Sequence, residues 1–228
     1  MYRIEGKFTH LVNNLERISP NNSIFNNKSC QKAFQTDNQG DFNDWLETFL
    51  PNTRLIIEPK IIGSGIGLQY ANGKLTKVIN QNSVEITKRV EHLKSIPKYL
   101  PIKNRIEISG VLYHDQHVNK KKNLIGPNKS KKADTEIKSL KFCAFHIFHC
   151  KINHFQTLKE LKNLNFEIPQ TQFTNFTSDV KIYLQCWREG KLFQSYPTNG
   201  IVLKVNSRKL QRRLVENNIL KNWIYSIN

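Results

Sequence analysis

The chain has 228 residues and carries 35 Lys and Arg against 18 Asp and Glu, which amounts to a formal net charge of +17. A chain of this length can bury its own core, and its four cysteines include no CxxC pair, so folding requires neither a disulfide framework nor a structural metal. The sequence contains no run of about 18 apolar residues and no charged-then-apolar leader, which predicts a cytoplasmic or other intracellular protein without membrane contact.

The excess of positive charge is the first indication of a partner. Such an imbalance favours a polyanion, and the sequence therefore predicts contact with nucleic acid, either DNA or RNA. The alternative is a composition enriched in Lys, Asn and Ile without selection for binding, as an AT-rich genome would produce. Composition alone leaves both explanations open.

The first 50 residues predict two helices joined by a polar linker. An apolar stripe with spacings of three and four predicts a helix that ends at Ser19 and Pro20 and that docks either on the main domain or on a larger protein complex. Residues 21–40 are rich in Asn, Gln and Ser, which is typical of a linker. A short amphipathic helix from Asp41 to Leu50 is stopped by Pro51. We therefore divide the chain into an N-terminal part, 1–50, and a core domain, 51–228. The residues of the stripe are Tyr2, Ile4, Phe8, Leu11, Val12, Leu15 and Ile18.

The stretch from Arg54 to Lys74 predicts two strands with a lysine at the end of the first. Four residues, Arg54-Leu-Ile-Ile, lead into Glu58-Pro-Lys, and three glycines between 63 and 67 then loosen the backbone. A second alternating run ends at the turn Ala71-Asn-Gly-Lys74, which is typical of a hairpin.

The middle of the chain predicts a helix, a strand and a basic loop. Mixed apolar spacing from Val84 to Ser95 favours a helix, and strict alternation from Arg105 to Tyr113 predicts a strand with Glu107, Ser109 and Val111 on one face. Residues 119–132 form a lysine-rich loop that either grips phosphates or is simply solvated, and the sequence favours neither. Its lysines are Lys120, Lys121, Lys122, Lys129, Lys131 and Lys132.

The segment Lys141 to Cys150 contains two His and two Cys, which suggests a zinc site. Strand alternation, however, places His146 on the face of Phe142 and Ala144, opposite His149. We therefore predict a buried core strand and no metal site.

The last third predicts helices from Leu158 to Leu164 and from Ser178 to Gly190, followed by a strand from Thr198 to Asn206. Ser207 then caps a helix that turns apolar residues inward and presents a second basic surface. The irregular order of strands and helices predicts an α+β fold with a largely antiparallel sheet. In the capped helix, Leu210 and Leu214 face inward and Arg208, Lys209, Arg212 and Arg213 face outward.

Several of these strings, in this order, resemble the adenylation domain of NAD-dependent DNA ligases. The resemblance runs from about residue 34 to the end, beginning with a loose match at Gln35-Thr-Asp-Asn38. Glu58-Pro-Lys-Ile-Ile-Gly63 resembles the motif Lys-x-Asp-Gly, whose lysine takes AMP from NAD. The most specific match is Asn199-Gly-Ile-Val-Leu-Lys-Val-Asn206, and the other matching strings are Tyr70–Leu75, Ile106–Leu112, Phe142–Phe148 and Leu158–Pro169.

The resemblance implies a nucleotidyltransferase fold and a set of site residues. Lys60 would be the nucleophile and Lys204 would contact the attacked phosphate. The nucleotide would be bound by Glu58, Gly63, Glu107 and Asn199.

The chain departs from the family where the chemistry requires charge. Ile62 stands where the family has its Asp, Ser109 and Val111 replace an Arg and a Glu, Asn199 replaces an Asp, and Asn228 replaces a Lys. Without those carboxylates the motif offers magnesium no acidic ligand. The family's N-terminal module, which grips nicotinamide mononucleotide, has no match in residues 1–50, and its OB domain, zinc module and helix-hairpin-helix repeats also have no match.

We therefore predict a catalytically inactive subunit that binds nucleic acid or supports an assembly, with no firm cofactor. The alternative is a divergent enzyme that adenylates Lys60 from NAD or ATP with magnesium, with Glu58 and Glu107 as substitute carboxylates. A third hypothesis is a pure interaction protein that docks through its N-terminal helix.

Overall fold

The computed structural model describes residues 8–16, 23, 41–115, 139–216 and 223–228. Two four-stranded sheets dominate it, and every ladder within them is antiparallel, which confirms the predicted α+β class. One sheet has the strand order β6-β1-β7-β8 and the other has the order β3-β2-β4-β5. The strands are β1 (Leu55–Ile61), β2 (Ser64–Ala71), β3 (Lys74–Asn80), β4 (Ile106–His114), β5 (Leu140–Ile147), β6 (Gln172–Thr174), β7 (Thr198–Val205) and β8 (Ile224–Ile227).

Helices cover the outer face of each sheet. Trp45 and Phe49 pack with Leu55 and Leu203 on the first sheet, whereas Leu11 belongs to a core that also holds Ile66, Leu68 and Phe142 of the second. The inner faces of the two sheets are therefore not covered by these helices, and a cleft lies between them. The helices are α1 (Thr9–Asn14), α2 (Phe42–Glu47), α3 (Thr87–Val90), α4 (His154–Asn163), α5 (Val180–Arg188) and α6 (Arg208–Glu216), with a 3-10 turn at Thr177–Asp179 before α5.

The helix predicted from Val84 to Ser95 is wrong except for its central turn, α3. The reason is a competing pairing, because the backbone of Val84 accepts a hydrogen bond from Asn80 and that of Ile86 donates one to Val78. This segment therefore extends the edge of β3 before a single helical turn begins. Its apolar residues Leu93 and Ile96 are still buried in the core.

The N-terminal helix is shorter than predicted. It ends at Asn14, and Leu15 adopts an extended conformation that bridges to Cys150. Phe8 and Leu11 are buried against the second sheet, so the described part of the apolar stripe packs on the domain itself.

Side chains cap several of the other helices, and the predicted cap at Ser207 is confirmed. The helix predicted to start at Ser178 instead begins at Val180, after the 3-10 turn and without a side-chain cap. Asp41 accepts a hydrogen bond from the backbone of Asn43 at the start of α2, and Asn153 and Gln156 form a capping box that starts α4 earlier than predicted. Ser207 accepts from the backbone of Leu210 at the start of α6.

Some sequence predictions fall outside the described residues. These are the lysine-rich loop 119–132, most of the linker 21–40 and the string Gln35-Thr-Asp-Asn38. The division of the chain at residue 50 stays a prediction. In the parts of the chain that the structure describes, no helix is both long and apolar enough to cross a membrane.

Candidate functional site

A cavity of about 180 Å³ lies between the inner faces of the two sheets. It brings together four of the residues that the sequence singled out, namely Glu58, Lys60, Gly63 and Lys204. The first sheet contributes the charged residues of the cavity, Glu58, Lys60 and Lys204, and the second contributes mainly apolar groups. The rest of the lining consists of Pro59, Ile61, Gly65, Gln81, Val111, Phe145, Pro169, Val202 and Ile224.

Glu58 and Lys60 lie near the end of β1, where the pairing with β7 is irregular. Glu58 pairs with Val202 and Pro59 with Ile201, and the register with β7 then shifts between Pro59 and Ile61. Strand β6 pairs only with Leu55 to Ile57, so at Pro59 one side of β1 has no neighbouring strand, which is a position where a sheet tolerates proline. Lys60 lies at the resulting bulge, where a side chain can be redirected.

Glu58 is the centre of a buried ionic cluster. Its Oε2 accepts a hydrogen bond from Lys204 Nζ at 2.6 Å, and its Oε1 accepts one from His154 Nε2 at 2.6 Å. Glu58 and Lys204 are diagonal neighbours across β1 and β7, since Ile56 is the residue opposite Lys204. All three side chains are at most 5% exposed, so each depends on the others for its polar contacts.

The titration of this cluster follows from its burial and its charges. Burial by itself would raise the pKa of Glu58, but the neighbouring Lys204 and His154 outweigh that effect and lower the pKa to about 2. Burial, and then the charge of Lys204, lower the pKa of His154 against the opposing effect of Glu58. At neutral pH Glu58 is therefore a carboxylate and His154 a neutral imidazole that donates to it from Nε2.

The sequence did not single out His154. It lies 96 residues from Glu58, at the first position of α4, and no spacing rule connects the two. A second histidine, His146, stacks on it with ring centroids 6.4 Å apart, and burial lowers the pKa of His146 well below its usual value.

The prediction that His146 shares a face with Phe142 and Ala144 is wrong. The pairing of β4 with β5 shifts register, with Ser109 opposite His146 but Gly110 opposite Ala144. Phe145 is the extra residue at this β-bulge, so alternation is interrupted there. Phe145 stays on the face of Cys143 and lines the cavity, with its ring centroid 4.6 Å from Lys204 Nζ. The bulge instead turns His146 away from the face of Phe142 and Ala144 and toward His154.

Lys60 lies at the edge of the cavity and is held by a neutral partner. Its Nζ donates to Asn228 Oδ1 at 2.7 Å, where the resemblance implied a lysine. Two further departures are visible around it, because Val111 presents an apolar side chain to the cavity and Ile62 is 53% exposed.

Two predicted site residues do not line the cavity. Glu107 lies four residues from Val111 along β4, which corresponds to about 13 Å of strand. Its carboxylate accepts hydrogen bonds from Ser23 Oγ at 2.5 Å and Arg105 Nη2 at 2.9 Å. Asn199 is exposed near the start of β7. The structure therefore does not bring a second carboxylate from these positions to Lys60.

The cavity can hold an anion beside a flat apolar group. Lys60 and Lys204 supply positive charge, and Phe145, Val111 and Val202 supply apolar surface. The residues that line it do not fit a magnesium ion, because their single carboxylate, Glu58, is already bonded to two partners and the remaining side-chain oxygen belongs to the neutral Gln81. Among the described residues, no group of three or more His, Cys, Asp or Glu is placed to bind a metal ion.

The basic residues of α6 form a second, separate concavity of about 330 Å³. The sequence predicted that all four of them face outward, but Arg208 is only partly exposed because its side chain folds back toward Gln211. Lys151, which precedes α4, joins them, and the chain order gave no indication of this. The complete lining is Lys151, Arg208, Lys209, Arg212 and Arg213.

Comparison of the sequence with known proteins assigns the chain to a family. Residues 13–133, more than half of the chain, match the family model of the NAD-dependent DNA ligase adenylation domain. The DNA ligase of Metamycoplasma arthritidis (strain 158L3-1) is 23% identical over 231 residues, which cover 90% of this chain and 34% of the ligase. The DNA ligase of Mesoplasma florum is 28% identical over 189 residues, which cover 72% of this chain and 28% of that protein. The chain thus spans about a third of the length of these curated relatives.

Solved structures of ligases are also similar. A Lig E DNA ligase superimposes with a TM-score of 0.46 at 13% identity, covering 71% of this chain and 59% of that one. The ATP-dependent DNA ligase of bacteriophage T7, in its complex with ATP, has a TM-score of 0.45 at 12% identity, with 72% and 60% of the two chains covered.

Proposed function

Because this chain belongs to the NAD-dependent DNA ligase adenylation-domain family, we propose that it is a ligase-type domain that does not adenylate its lysine and that holds nucleic acid on its cationic surface. The single observation that carries this proposal is the state of the carboxylate in the cavity. Glu58 is buried and is bonded to both Lys204 and His154, so it is not available to a metal ion.

Lysine adenylation needs groups that this cavity lacks. An amine attacking a phosphate requires compensation of the charge that develops on the phosphate, which a metal ion held by carboxylates commonly supplies. Here the corresponding positions carry Ile62, Val111 and Asn199, none of which is acidic. Losing one transition-state contact typically lowers a rate by about 10² to 10³. The loss of several supports a domain without turnover.

Positive charge is the property that the chain retains. The formal net charge is +17, and the concavity at α6 is lined by cations alone. Phosphate groups are the natural ligand for such a surface, and contacts to phosphates carry no information about base sequence. This supports a domain that binds DNA or RNA as a polyanion.

Nucleic-acid binding by the purified protein is expected to be strongly salt-dependent. Four phosphate contacts would lower the affinity for a fluorescent duplex roughly a hundredfold between about 50 and 200 mM salt, because each contact releases condensed counterions. Fluorescence anisotropy across that range measures the effect. Binding that is absent at low salt for both DNA and RNA, or that does not change with salt, contradicts the proposal.

A second candidate function is adenylation of Lys60, and one observation favours it. Lys60 Nζ lies at the edge of a cavity that also holds an aromatic ring, and its described partner is the neutral amide of Asn228 rather than a carboxylate. The family membership supports the same reaction, with NAD as the AMP donor.

Intact-mass measurement separates the two candidates. We expect no AMP adduct after incubation with magnesium and either NAD or ATP, because the carboxylates that would hold the metal are missing. Lys60→Ala is the matched control. An added mass of one AMP in the wild-type protein that is absent from the variant would establish the second candidate instead.

A further inference from the structure

The concavity at α6 differs from an ordinary charged surface because cations alone line it. Arg208 and Arg212 lie one turn apart on α6, Lys209 and Arg213 form the adjacent row, and Lys151 is contributed by the segment before α4. Tertiary structure therefore gathers five positive side chains from two segments around one space of about 330 Å³.

One of these cations is fixed in place. Arg208 Nη1 donates to Gln211 Oε1 at 3.0 Å, and the buried Gln211 side chain in turn donates from Nε2 to the carbonyl oxygen of Val205 at 2.7 Å. The Arg208 Nε atom is buried and has no acceptor among the described residues. These two hydrogen bonds anchor the guanidinium through Gln211 to the end of β7, so its motion beside the concavity is restricted.

The charge in the concavity is largely uncompensated. Among the described residues, one carboxylate, that of Glu16, forms an ion pair with these five side chains, and its partner is Arg212. Lys209 and Arg213 are exposed and have no ion pair within the described parts of the chain. Burial lowers the pKa of Arg208, and the neighbouring Arg212 lowers it further. An anion bound here would relieve the repulsion among the cations.

We propose that this concavity is a phosphate-binding site that holds the sugar-phosphate backbone of a nucleic-acid strand. The inference rests on the proposed function and deepens it by locating a contact that the polyanion makes. Guanidinium groups match phosphate oxygens in geometry as well as charge. The lining contains no aromatic or aliphatic side chain that could stack on a base or contact an acyl chain. The site therefore contacts the backbone and binds without regard to base sequence.

The test compares two double variants that lose the same charge. Lys209→Gln with Arg213→Gln removes two exposed cations of the concavity, and Lys181→Gln with Arg188→Gln removes an exposed Lys and Arg from α5. We expect the first pair to weaken binding of a fluorescent random-sequence oligonucleotide at least about tenfold and to reduce the salt slope by about two. The α5 pair should stay near wild type, and two oligonucleotides of different sequence should bind equally well.

The outcomes separate the two proposals. If wild-type protein binds and the two double variants lose affinity equally, or neither loses any, the phosphate site is wrong while the proposed function stands. If wild-type protein binds neither DNA nor RNA at low salt, the proposed function itself is wrong. Thermal unfolding checks that both variants are folded, and Lys209→Arg with Arg213→Lys should retain most of the affinity because it keeps both charges.

Discussion

Replacing Glu58 by glutamine is expected to destabilise the protein by about 3 to 5 kcal/mol. The carboxylate is the shared partner of Lys204 and His154, and removing its charge leaves the Lys204 ammonium buried without compensation. Urea unfolding measures the effect as a shift in midpoint at constant slope. A cost below about 1 kcal/mol would contradict the buried pair.

The double variant Glu58→Gln with Lys204→Met is the control for this prediction. It removes both charges and keeps an oxygen that can accept a hydrogen bond from His154. Because replacing a whole buried ion pair by uncharged groups is often close to neutral, the double variant should recover most of the stability that the single variant loses. Failure to recover would mean that the cost arises from packing rather than from charge.

The pH dependence of the unfolding free energy tests the same buried cluster independently. The pKa of Glu58 is lowered from 4.5 to about 2, so the folded state binds fewer protons than the unfolded state in this range. The stabilisation is therefore complete above about pH 4.5 and is lost as the pH falls toward 2. The difference in unfolding free energy between wild type and Glu58→Gln should shrink over that window.

Replacing Gly63 by alanine is expected to cost about 3 kcal/mol and to widen the cavity. A Cβ at this position would overlap the carbonyl oxygen of Leu112 and would lie 2.7 Å from Val111 Cγ2. Those atoms belong to the backbone and a short side chain of β4, which cannot move aside without shifting the strand, so overpacking strains the junction between the two sheets. Urea unfolding measures the loss of stability.

Gly190→Ala is a useful comparison because it separates crowding from backbone conformation. Gly190 has a φ of +67° and no atom within 4 Å of an added Cβ, so its cost should be limited to about 1 kcal/mol of left-handed strain. Equal costs at the two glycines would show that Gly63 is not needed for the close approach of the sheets.

The two concavities have complementary properties. The cavity between the sheets contains its own counter-charge, since Glu58 neutralises Lys204, whereas the concavity at α6 has a single carboxylate partner among the described residues. Electrostatic attraction for a polyanion is therefore expected to be stronger at α6 than at Lys60.

The sequence by itself determined where several strands lie and identified the two lysines of the cavity. Alternation and turn chemistry located β1, β2, β4 and β7, an amphipathic pattern located α2, and the capping residue Ser207 located α6, because these signals are local. The matched strings around Lys60 and Lys204 identified two cations that the structure brings to one cavity. Local pattern failed at Val84–Ser95, where pairing with β3 overrode helical spacing.

Only the tertiary structure decided which side chains meet. His154 bonds to Glu58, 96 residues away in the sequence. Lys151, in the segment before α4, lines the same concavity as the cations of α6. A single bulge turns His146 toward His154, whereas distance along a strand keeps Glu107 out of the cavity. The physical reason is that periodicity fixes the face on which a side chain lies, while register shifts and sheet packing determine what that face contacts.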